Sequence, residues 1–380
     1  MNILFVFPDF TPYHGGVPMV TDILAKEFIK RGHEVVFLSQ DPQYTNEDTV
    51  VPVISIDLSS SSEYSLVDYY QELLREKRID IIINQLPLDS RNDFFLKYSL
   101  PNIKTISVYH SRPFGILKLI KNEIQTSASL LNRLRTLLYY VKTAILTHRR
   151  FSTISRNSDI LCLLSPHYKE LLKNIPCLKI QNIESIGNPL PIFRSLGTTT
   201  RKKQIIFVGR LSDKCKNLKG ALDVWNIFVK RHPDWRFVVI GNDSGIDDIK
   251  QEITEKKISN IEFVGHTSNM EQYYSQSSFI LVTSFYEGWS MVICEAMSYG
   301  CIPCVYNTYE AIQDLIQDGE SGLICQPFNP QAMVDRLDKV LSCTEELNMM
   351  SRTAIDRIQN FKVDFVATQW EDLFNKLKKN

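Results

Sequence analysis

Runs of consecutive apolar residues alternate with apolar positions at helical spacing along most of the chain. The first run is Ile3–Phe7, and after the Gly15–Gly16 loop the apolar residues recur every three or four positions, as in a helix. A second run, Val35–Leu38, completes a strand–helix–strand unit. Continuous apolar strands are typical of a parallel sheet that helices cover on both faces. The pattern therefore predicts an α/β fold.

The apolar runs fall into two series. The first series continues with Ile79–Ile83, Thr105–Val108 and Ile160–Leu164. The second consists of Ile205–Val208, Phe237–Ile240, Ile261–Val264, Phe279–Thr283 and Ile302–Val305. Runs of the second series end in glycine or a short polar loop, as expected where a ligand meets the carboxyl ends of parallel strands.

The length of the chain also favours two domains. A single core rarely organises 380 residues. The proline- and threonine-containing segment 187–203 separates the two series, so we place the boundary at about residue 195. We expect Rossmann-like domains at 1–195 and 196–360, facing across a cleft. The last segment, 361–380, is predicted to be a helix with one apolar stripe, formed by Val366, Trp370, Phe374 and Leu377.

Composition narrows the function classes. Lys plus Arg and Asp plus Glu each number 43, so the net charge is zero and nothing global indicates nucleic acid as a partner. The eight cysteines are scattered, which fits reduced thiols in the cytoplasm. No apolar stretch reaches 18 residues, and the short run near Met1 has no basic leader. We therefore expect a cytoplasmic protein without a secretory signal.

The most specific chemical pattern is a pair of glutamates eight positions apart. Glu287 follows an apolar run, and Glu295 lies in the helix predicted after it. The start of that helix offers unpaired backbone N–H groups that suit a diphosphate or sugar hydroxyls. These groups belong to Gly288, Trp289, Ser290, Met291 and Val292. Glu295 could accept hydrogen bonds from a diol such as a ribose. Spacing alone fits an ordinary surface pair of glutamates equally well.

This pattern, with its internal Gly288 and trailing Ala296-Met297, resembles the donor motif of glycosyltransferase family 4. The resemblance covers nearly the whole chain, and enzymes of bacterial capsule, lipopolysaccharide and exopolysaccharide synthesis are of this kind. It implies the GT-B architecture, with an acceptor-binding N-terminal domain and a nucleotide-sugar-binding C-terminal domain. It also implies that the C-terminal helix crosses back to pack on the N-terminal domain.

Two further motifs concern the donor diphosphate. Gly15-Gly16-Val17 resembles the family's glycine loop, which lies against the diphosphate, although Gly-Gly alone is a weak signal. The segment containing Gly209 and Arg210, with Lys216 after it, resembles the basic pair that neutralises the leaving group. The spacing from Arg210 to Lys216 is one residue longer than in the family, so Lys214 is an alternative.

Two more motifs lie in the N-terminal half. His110 ends an apolar run, where the family often has a histidine that reaches the donor sugar. The segment Ile186–Pro189 resembles the asparagine-containing turn that closes the first domain. The resemblance implies a structural role for that turn.

No metal or other cofactor is expected. The chain has no Asp-x-Asp sequence, which other glycosyltransferases use to hold a metal–nucleotide complex. Cys301 and Cys304 have CxxC spacing, but no second pair accompanies them, and buried thiols are the better interpretation.

The neutral whole chain contains one strongly basic segment, 112–156. It carries nine Lys and Arg residues against Glu123 alone, with leucines at helical spacing. A basic amphipathic stretch of this kind can lie on an anionic membrane surface, so we expect peripheral contact with the cytoplasmic face of the inner membrane. The alternative is an ordinary helix with a solvated basic face.

Together these features predict a retaining enzyme that moves a hexose-type sugar from a UDP-sugar to a cell-envelope glycan or lipid-linked acceptor. Retention and UDP are implied by the resemblance alone. Arg210 and Lys216 would stabilise the diphosphate, Glu287 would hold the sugar, Glu295 the ribose, and His110 would contact the donor sugar. Two alternatives stay open: a catalytically silent scaffold subunit and a nucleotide-sugar epimerase.

Overall fold

The chain folds into two compact units in a computed structural model. The structure describes residues 1–7, 15–40, 50–59, 62–180, 182–190, 201–242 and 244–379. The first unit comprises 1–117, 123–191 and 361–380, and the second comprises 118–122 and 192–360. The predicted boundary at residue 195 lies outside the described residues, as does most of the segment 187–203 around it.

A seven-stranded parallel sheet forms the centre of the first unit. Its strands are β1 (Asn2–Phe7), β2 (Glu34–Ser39), β3 (Val53–Ser55), β4 (Ile81–Asn84), β5 (Lys104–Tyr109), β6 (Ile160–Leu163) and β7 (Ile183–Ser185). They lie in the order β3-β2-β1-β4-β5-β6-β7. The strand order reverses between β1 and β4, which is where doubly wound sheets bind ligands.

Helices cover this sheet. They are α1 (Gly16–Lys30), α2 (Glu63–Glu76), α3 (Asp93–Lys97), α4 (Gly115–Thr126), α5 (Leu130–Asn157), α6 (Pro166–Lys173) and the last helix of the chain, α14 (Val363–Lys379). In α4, residues 118–122 are grouped with the second unit.

The C-terminal helix α14 packs on α1 within the first unit. The Phe28 and Phe374 ring centroids lie 5.6 Å apart. Glu371 accepts a hydrogen bond from Arg31 at 2.7 Å and pairs with His33 at 2.8 Å. The predicted apolar stripe is buried along its length. Leu190 donates a backbone hydrogen bond to the Phe361 carbonyl at 2.9 Å. The prediction that the C-terminal helix packs on the first unit is confirmed. Burial of its apolar stripe stabilises this packing.

The second unit repeats the same topology with six parallel strands. They are β8 (Lys202–Val208), β9 (Arg236–Ile240), β10 (Ile261–Gly265), β11 (Ser277–Val282), β12 (Ile302–Tyr306) and β13 (Leu323–Cys325), in the order β10-β9-β8-β11-β12-β13. The helices are α7 (Leu218–Arg231), α8 (Asp247–Glu255), α9 (Met270–Gln276), α10 (Met291–Ser298), α11 (Ile312–Leu315), α12 (Pro330–Leu341) and α13 (Thr344–Ile358). Here the order reverses between β8 and β11.

Glycine lets the backbones after β8 and β9 approach each other closely. Gly209 donates to the Ile240 carbonyl at 3.1 Å, and Gly241 donates to the Gly265 carbonyl at 2.9 Å. A Cβ on Gly241 would lie 1.9 Å from the Gly209 oxygen, and the φ of Gly241 is 151°. No other residue fits there, so this close approach fixes the position from which the loop containing Arg210 leaves the sheet.

Helix α5 differs from every other long helix in its exposure. It has 28 residues, yet only Phe151 and Ile154 are buried. Nine large apolar side chains of its first part are exposed, from 48% at Val141 to 76% at Leu130. No helix in the described ranges has the length and apolarity needed to cross a membrane.

Candidate active site

An ion pair joins the carboxyl ends of β8 and β11 at the switch point of the second sheet. The Lys216 ammonium lies 2.7 Å from Oε1 of Glu287, and the Ser284 hydroxyl donates to the same oxygen at 2.7 Å. The two charged side chains are only 21% and 13% exposed. The structure therefore brings together two of the predicted site residues, which lie 71 positions apart in the chain.

Backbone hydrogen bonds hold Lys216 at this position. The 3-10 turn Lys214–Lys216 docks on the loop after β11, where Phe285 donates to the Cys215 carbonyl at 2.8 Å. Asn217 donates its side-chain amide to the Thr283 carbonyl at 3.0 Å, and the Thr283 hydroxyl donates back at 2.8 Å. Lys216 is thus fixed by contacts on both sides of the switch point.

The other basic candidates of this edge are more exposed. Arg210 is 83% exposed and lies 3.1 Å from Asp213. Lys214 is exposed on the same 3-10 turn. A Cβ on Gly209 would lie 3.5 Å from Cγ of Lys216, so Gly209 leaves room for the lysine stem. Lys216 is the lysine that forms the 2.7 Å ion pair with Glu287.

Helix α10 begins directly after the glutamate loop. Ile293 and Cys294 donate to the Ser290 carbonyl at 3.1 and 3.3 Å. The amides proposed from sequence to bind an anion, those of Gly288 to Val292, precede this first helical pair. The Ser290 hydroxyl is buried and has no hydrogen-bond partner among the described residues. The neighbouring Trp289 is also buried, so the turn is packed and not a mobile surface loop.

Glu295 occupies an apolar position on α10. Its Oε2 accepts a hydrogen bond from the Tyr274 hydroxyl at 2.7 Å. Burial raises the pKa of Glu295, and the Tyr274 hydrogen bond opposes that rise only in part. Its other carboxylate oxygen has no protein donor among the described residues. That oxygen is available to a ligand hydroxyl.

In the first unit, the predicted glycine loop is described only at its end. Residues 8–14 lie outside the described residues. Gly15 immediately precedes α1 with a φ of 107°, a conformation that favours glycine, and Gly16 is the first residue of that helix. A Cβ at either glycine would meet no atom within 4 Å. Backbone conformation, and not crowding, therefore explains the glycine at position 15.

His110 lies just beyond β5, with one ring nitrogen paired. Its Nε2 lies 2.5 Å from Oε1 of Gln85, the residue after β4. Its Nδ1 is buried with no partner in the described part of the chain. Burial lowers the pKa of His110 to about 4, so the ring is neutral at physiological pH. With Nε2 as donor to Gln85, Nδ1 presents a lone pair, and the ring can accept a hydrogen bond.

Neutral amides surround this histidine edge. The Asn92 side chain donates to Oδ1 of Asn84 at 2.7 Å and accepts from Gln40 at 2.9 Å. Asn84, Gln85 and Asn92 are at most 2% exposed. Buried, uncharged hydrogen-bonding groups of this kind suit neutral polar ligands more than charged ones.

Sequence reasoning missed Gln85, Ser284 and Tyr274. Asn84-Gln85 ends an apolar run, and polar residues at the carboxyl end of a parallel strand are a signal that could have selected Gln85. Ser284 follows β11 in the same way. Nothing local marks Tyr274, because it meets Glu295 only through the packing of α9 beside α10.

The predicted thiol burial is confirmed. Cys301 and Cys304 are fully buried, and Sγ of Cys304 lies 3.7 Å from Sγ of Cys325. Across the described residues, no three His, Cys, Asp or Glu side chains are placed to hold a metal ion.

Two family profiles match the two halves of the chain. The profile "Glycosyltransferase Family 4" matches residues 14–188, and "Glycosyl transferases group 1" matches residues 191–357. The chain belongs to the glycosyltransferases. The resemblance stated from the Glu287–Glu295 motif is thereby confirmed for the family.

Curated relatives and solved structures agree with this assignment. The glycosyltransferase is 24% identical to an uncharacterised glycosyltransferase of Haemophilus influenzae, covering 94% of this chain and 96% of the relative. It is 21% identical to the amylovoran biosynthesis glycosyltransferase AmsD of Erwinia amylovora, covering 70% and 79%. The Anabaena HepE structure in complex with UDP matches with a TM-score of 0.74 at 16% identity, covering 99% and 100%. The fold of this glycosyltransferase is therefore of the GT-B type.

Proposed function

We propose that the protein transfers a hexose-type sugar, with retention at the anomeric carbon, from a UDP-sugar to a cell-envelope glycan or lipid-linked acceptor. The proposed transfer requires no metal ion. The observation that carries it is the half-buried Lys216–Glu287 pair at the switch point of the second sheet, with Arg210 on the same edge.

The charges of this edge suit a nucleotide diphosphate. The Lys216 ammonium has three donors, so it can keep Glu287 and still donate to phosphate oxygens. The exposed Arg210 guanidinium supplies a second, adjustable cation. The N-terminal end of α10 adds the positive end of a helix dipole and the amides of Gly288 to Val292. These groups would stabilise the charge that develops on the leaving diphosphate, which is the main demand of such a transfer.

Glu295 and His110 complete the proposed contacts. The open oxygen of Glu295 would accept from the ribose hydroxyls, and the Tyr274 hydrogen bond would hold the carboxylate in place. His110 would accept a hydroxyl of the donor sugar through Nδ1, because Gln85 occupies Nε2. Its neutral ring fits a positioning role for an uncharged group, since an acid would need a pKa nearer to the working pH.

The relatives support the choice of UDP and of an envelope acceptor. The Anabaena HepE structures contain UDP, UDP with glucose, or UDP-glucose. AmsD is named for amylovoran biosynthesis, and WaaB is named a lipopolysaccharide outer core galactosyltransferase. A relative of Campylobacter jejuni acts on an undecaprenol-linked glycan according to its name.

The basic helix α5 supports contact with a membrane surface. Its 28 residues include six Lys and Arg residues and no Asp or Glu. The exposed leucines of the same helix provide apolar side chains that would insert at the level of the head groups. We therefore include peripheral contact with an anionic membrane in the proposal.

Thermal stabilisation by ligands tests the donor assignment. The purified protein is heated with a panel of nucleotide diphosphates and nucleotide sugars, with EDTA present throughout. We expect UDP and one UDP-sugar to raise the melting temperature, because a ligand that binds only the folded state stabilises it. Arg210→Ala should weaken the shift. Lys203→Ala is the matched control, since Lys203 lies near the start of β8, at the end of the strand opposite to the one that Arg210 follows.

Other outcomes of the same panel point elsewhere. A shift with a different nucleotide would contradict the choice of UDP. A shift that appears only when a divalent cation replaces EDTA would contradict metal independence. Stabilisation by no donor at all would favour the scaffold alternative. In a separate incubation of the protein with the UDP-sugar, inversion of a stereocentre within the sugar with no UDP released would favour the epimerase.

A further inference from the structure

A cavity of about 540 Å³ opens in the first unit between α4, α5 and α6. Its wall is largely apolar, and it includes Phe114, Leu117, Ala144, Ile145, Leu171 and Ile175. None of these residues belongs to the donor edge or to the amide cluster around His110. A cavity of this size and character suits the apolar part of a small ligand.

Basic side chains border the same cavity, and no acidic residue from the described part of the chain lines it. They are Arg112, His148 and Arg149. Arg112 is 8% exposed and donates to the Pro113 carbonyl at 3.0 Å. The exposed Arg149 side chain has no hydrogen-bond or ionic partner among the described residues.

The adjacent Arg150 shows that Arg149 is not simply part of a structural pair. Arg150 donates to Oδ1 of Asp93 at 2.8 Å and to the Asp89 carbonyl at 3.0 Å, so it anchors α5 to the first sheet's loops. The Arg149 side chain makes no such contact with any described residue. An unpaired cation beside an apolar cavity attracts a ligand that is both anionic and apolar.

The cavity is continuous with the exposed apolar face of α5. Ile145 lines the cavity and is 49% exposed. From Ile145 the apolar face continues along the helix through Val141, Leu138 and Leu134, which follow at spacings of four, three and four residues. Each of these three side chains is at least 48% exposed. A contiguous exposed apolar face of this kind marks an interaction site. Phe114, which also lines the cavity, has the unusual φ of 56° for a bulky residue, as found at functional positions.

We propose that this cavity binds the apolar chain of one lipid phosphate, with the phosphate held by Arg149 together with His148 and Arg112. The chain would enter along the exposed face of α5, from the membrane surface. The basic side chains favour a lipid with a phosphate head group over a neutral lipid. The apolar wall favours such a lipid over free phosphate. The identification of this lipid with the anchor of a lipid-linked acceptor rests on the proposed function, whereas the binding itself does not.

Calorimetric titration of the full chain tests the ligand class, with farnesyl phosphate, farnesol and inorganic phosphate as probes below their aggregation limits. We expect saturable one-to-one binding of farnesyl phosphate. Farnesol should bind at least tenfold more weakly, and inorganic phosphate at least a hundredfold. Equal binding of farnesol would overturn the phosphate site, and equal binding of inorganic phosphate would overturn the chain site.

Variants locate the binding. Ala144→Trp and Ile175→Trp fill the cavity from two different elements, and each should weaken farnesyl phosphate at least tenfold with an unchanged melting temperature. Arg149→Gln should also weaken it about tenfold. Arg156→Gln, the same change about two helical turns further along α5 and outside the cavity, should leave binding unchanged. Undiminished binding in both tryptophan variants, or equal loss in the two arginine variants, would refute the site.

Two further measurements separate this proposal from its neighbours. Stabilisation of the same preparations by UDP reports on the donor site. Lipid binding without stabilisation by UDP would refute only the proposed function. Stabilisation by UDP without lipid binding would refute only the lipid site. Sedimentation should find a monomer. A dimer that Leu138→Glu dissociates would mean that a second copy covers the face of α5, and the lipid proposal would fall.

Discussion

The two units share one topology but present opposite chemistry at their switch points. In the second unit the edge is charged, with Lys216 on Glu287 and Arg210 nearby. In the first unit the described residues after β4 and β5 include buried Gln85 and a His110 ring that burial keeps uncharged, so this described part of the edge is neutral. Both sheets have the strand order 3-2-1-4-5-6, and the first sheet adds a seventh strand after it.

The difference shows that the fold supplies a position and the loop residues supply the chemistry. A diphosphate demands fixed cations and amides, because its charge grows as the bond to the sugar breaks. Neutral sugar hydroxyls demand buried donors and acceptors without net charge. The contrast thus assigns the nucleotide end of the donor to the second unit's edge, under the proposed function.

The largest expected effect comes from removing the cation of the charged edge. Lys216→Gln should lower turnover of the UDP-sugar by about 10²- to 10³-fold, the range seen when one group that stabilises developing charge is lost. Release of UDP in steady state measures it. Lys203→Gln should leave turnover unchanged, because Lys203 pairs with Asp234 and is 65% exposed. Wild-type turnover in Lys216→Gln would contradict the assignment of the diphosphate to the charged edge of the second unit.

The buried, neutral His110 should make the free energy of unfolding depend on pH. The pKa of His110 is about 4 in the fold and about 6.5 in the unfolded chain, so the unfolded state gains a proton first as pH falls. His110 therefore contributes full stability above pH 6.5 and loses about 3 kcal/mol of it on descending through 4. His110→Gln should remove this part of the slope in urea unfolding between pH 7.5 and 4. Identical slopes would show that His110 titrates normally.

Glu295→Gln should separate binding from stability. Burial raises the pKa of Glu295, so its ionised form is unfavourable in the fold, and this cost appears as pH rises through that pKa. The amide can still accept from Tyr274, so we expect a higher melting temperature at pH 7. Donor affinity should fall about tenfold, because a charge-assisted hydrogen bond to the ribose becomes a neutral one. A lower melting temperature would contradict the expected cost of burying the Glu295 carboxylate, and unchanged donor affinity would contradict its contact with the ribose.

The smallest effect concerns Arg210. Because its side chain is 83% exposed and its ion pair among the described residues is with Asp213, Arg210→Ala should change the free energy of unfolding by less than about 0.5 kcal/mol. Urea unfolding without ligand measures this. A clear loss of stability would mean that Arg210 is a structural residue and not one held available for a ligand.

Apolar periodicity predicted most of the fold. Each buried central strand is a continuous apolar run, which is why β1, β5 and β11 were found close to their observed bounds. The strands β3, β7 and β13 were missed, because three residues are too short for any period to be distinguished. Helix α14 was predicted correctly, since its stripe repeats over more than three turns.

The candidate site was predictable as a set of residues but not as a set of contacts. The motifs placed Lys216 and Glu287 at strand ends, yet their ion pair depends on the docking of two distant loops. The partners Gln85 and Tyr274 likewise follow from which strands and helices become neighbours. Such pairings are set by tertiary packing, which local patterns do not encode.

Mapping UDP on the full chain by amide NMR tests the central assignment most directly. UDP is added with EDTA present, and the backbone amide shifts of the two edges are followed. We predict saturable shifts at Gly209 and at Gly288 to Val292, with Asn84, Gln85 and Asn92 unmoved. Shifts confined to the Asn84–Asn92 edge, or no shifts at saturating UDP, would contradict the placement of the diphosphate on the second unit's charged edge.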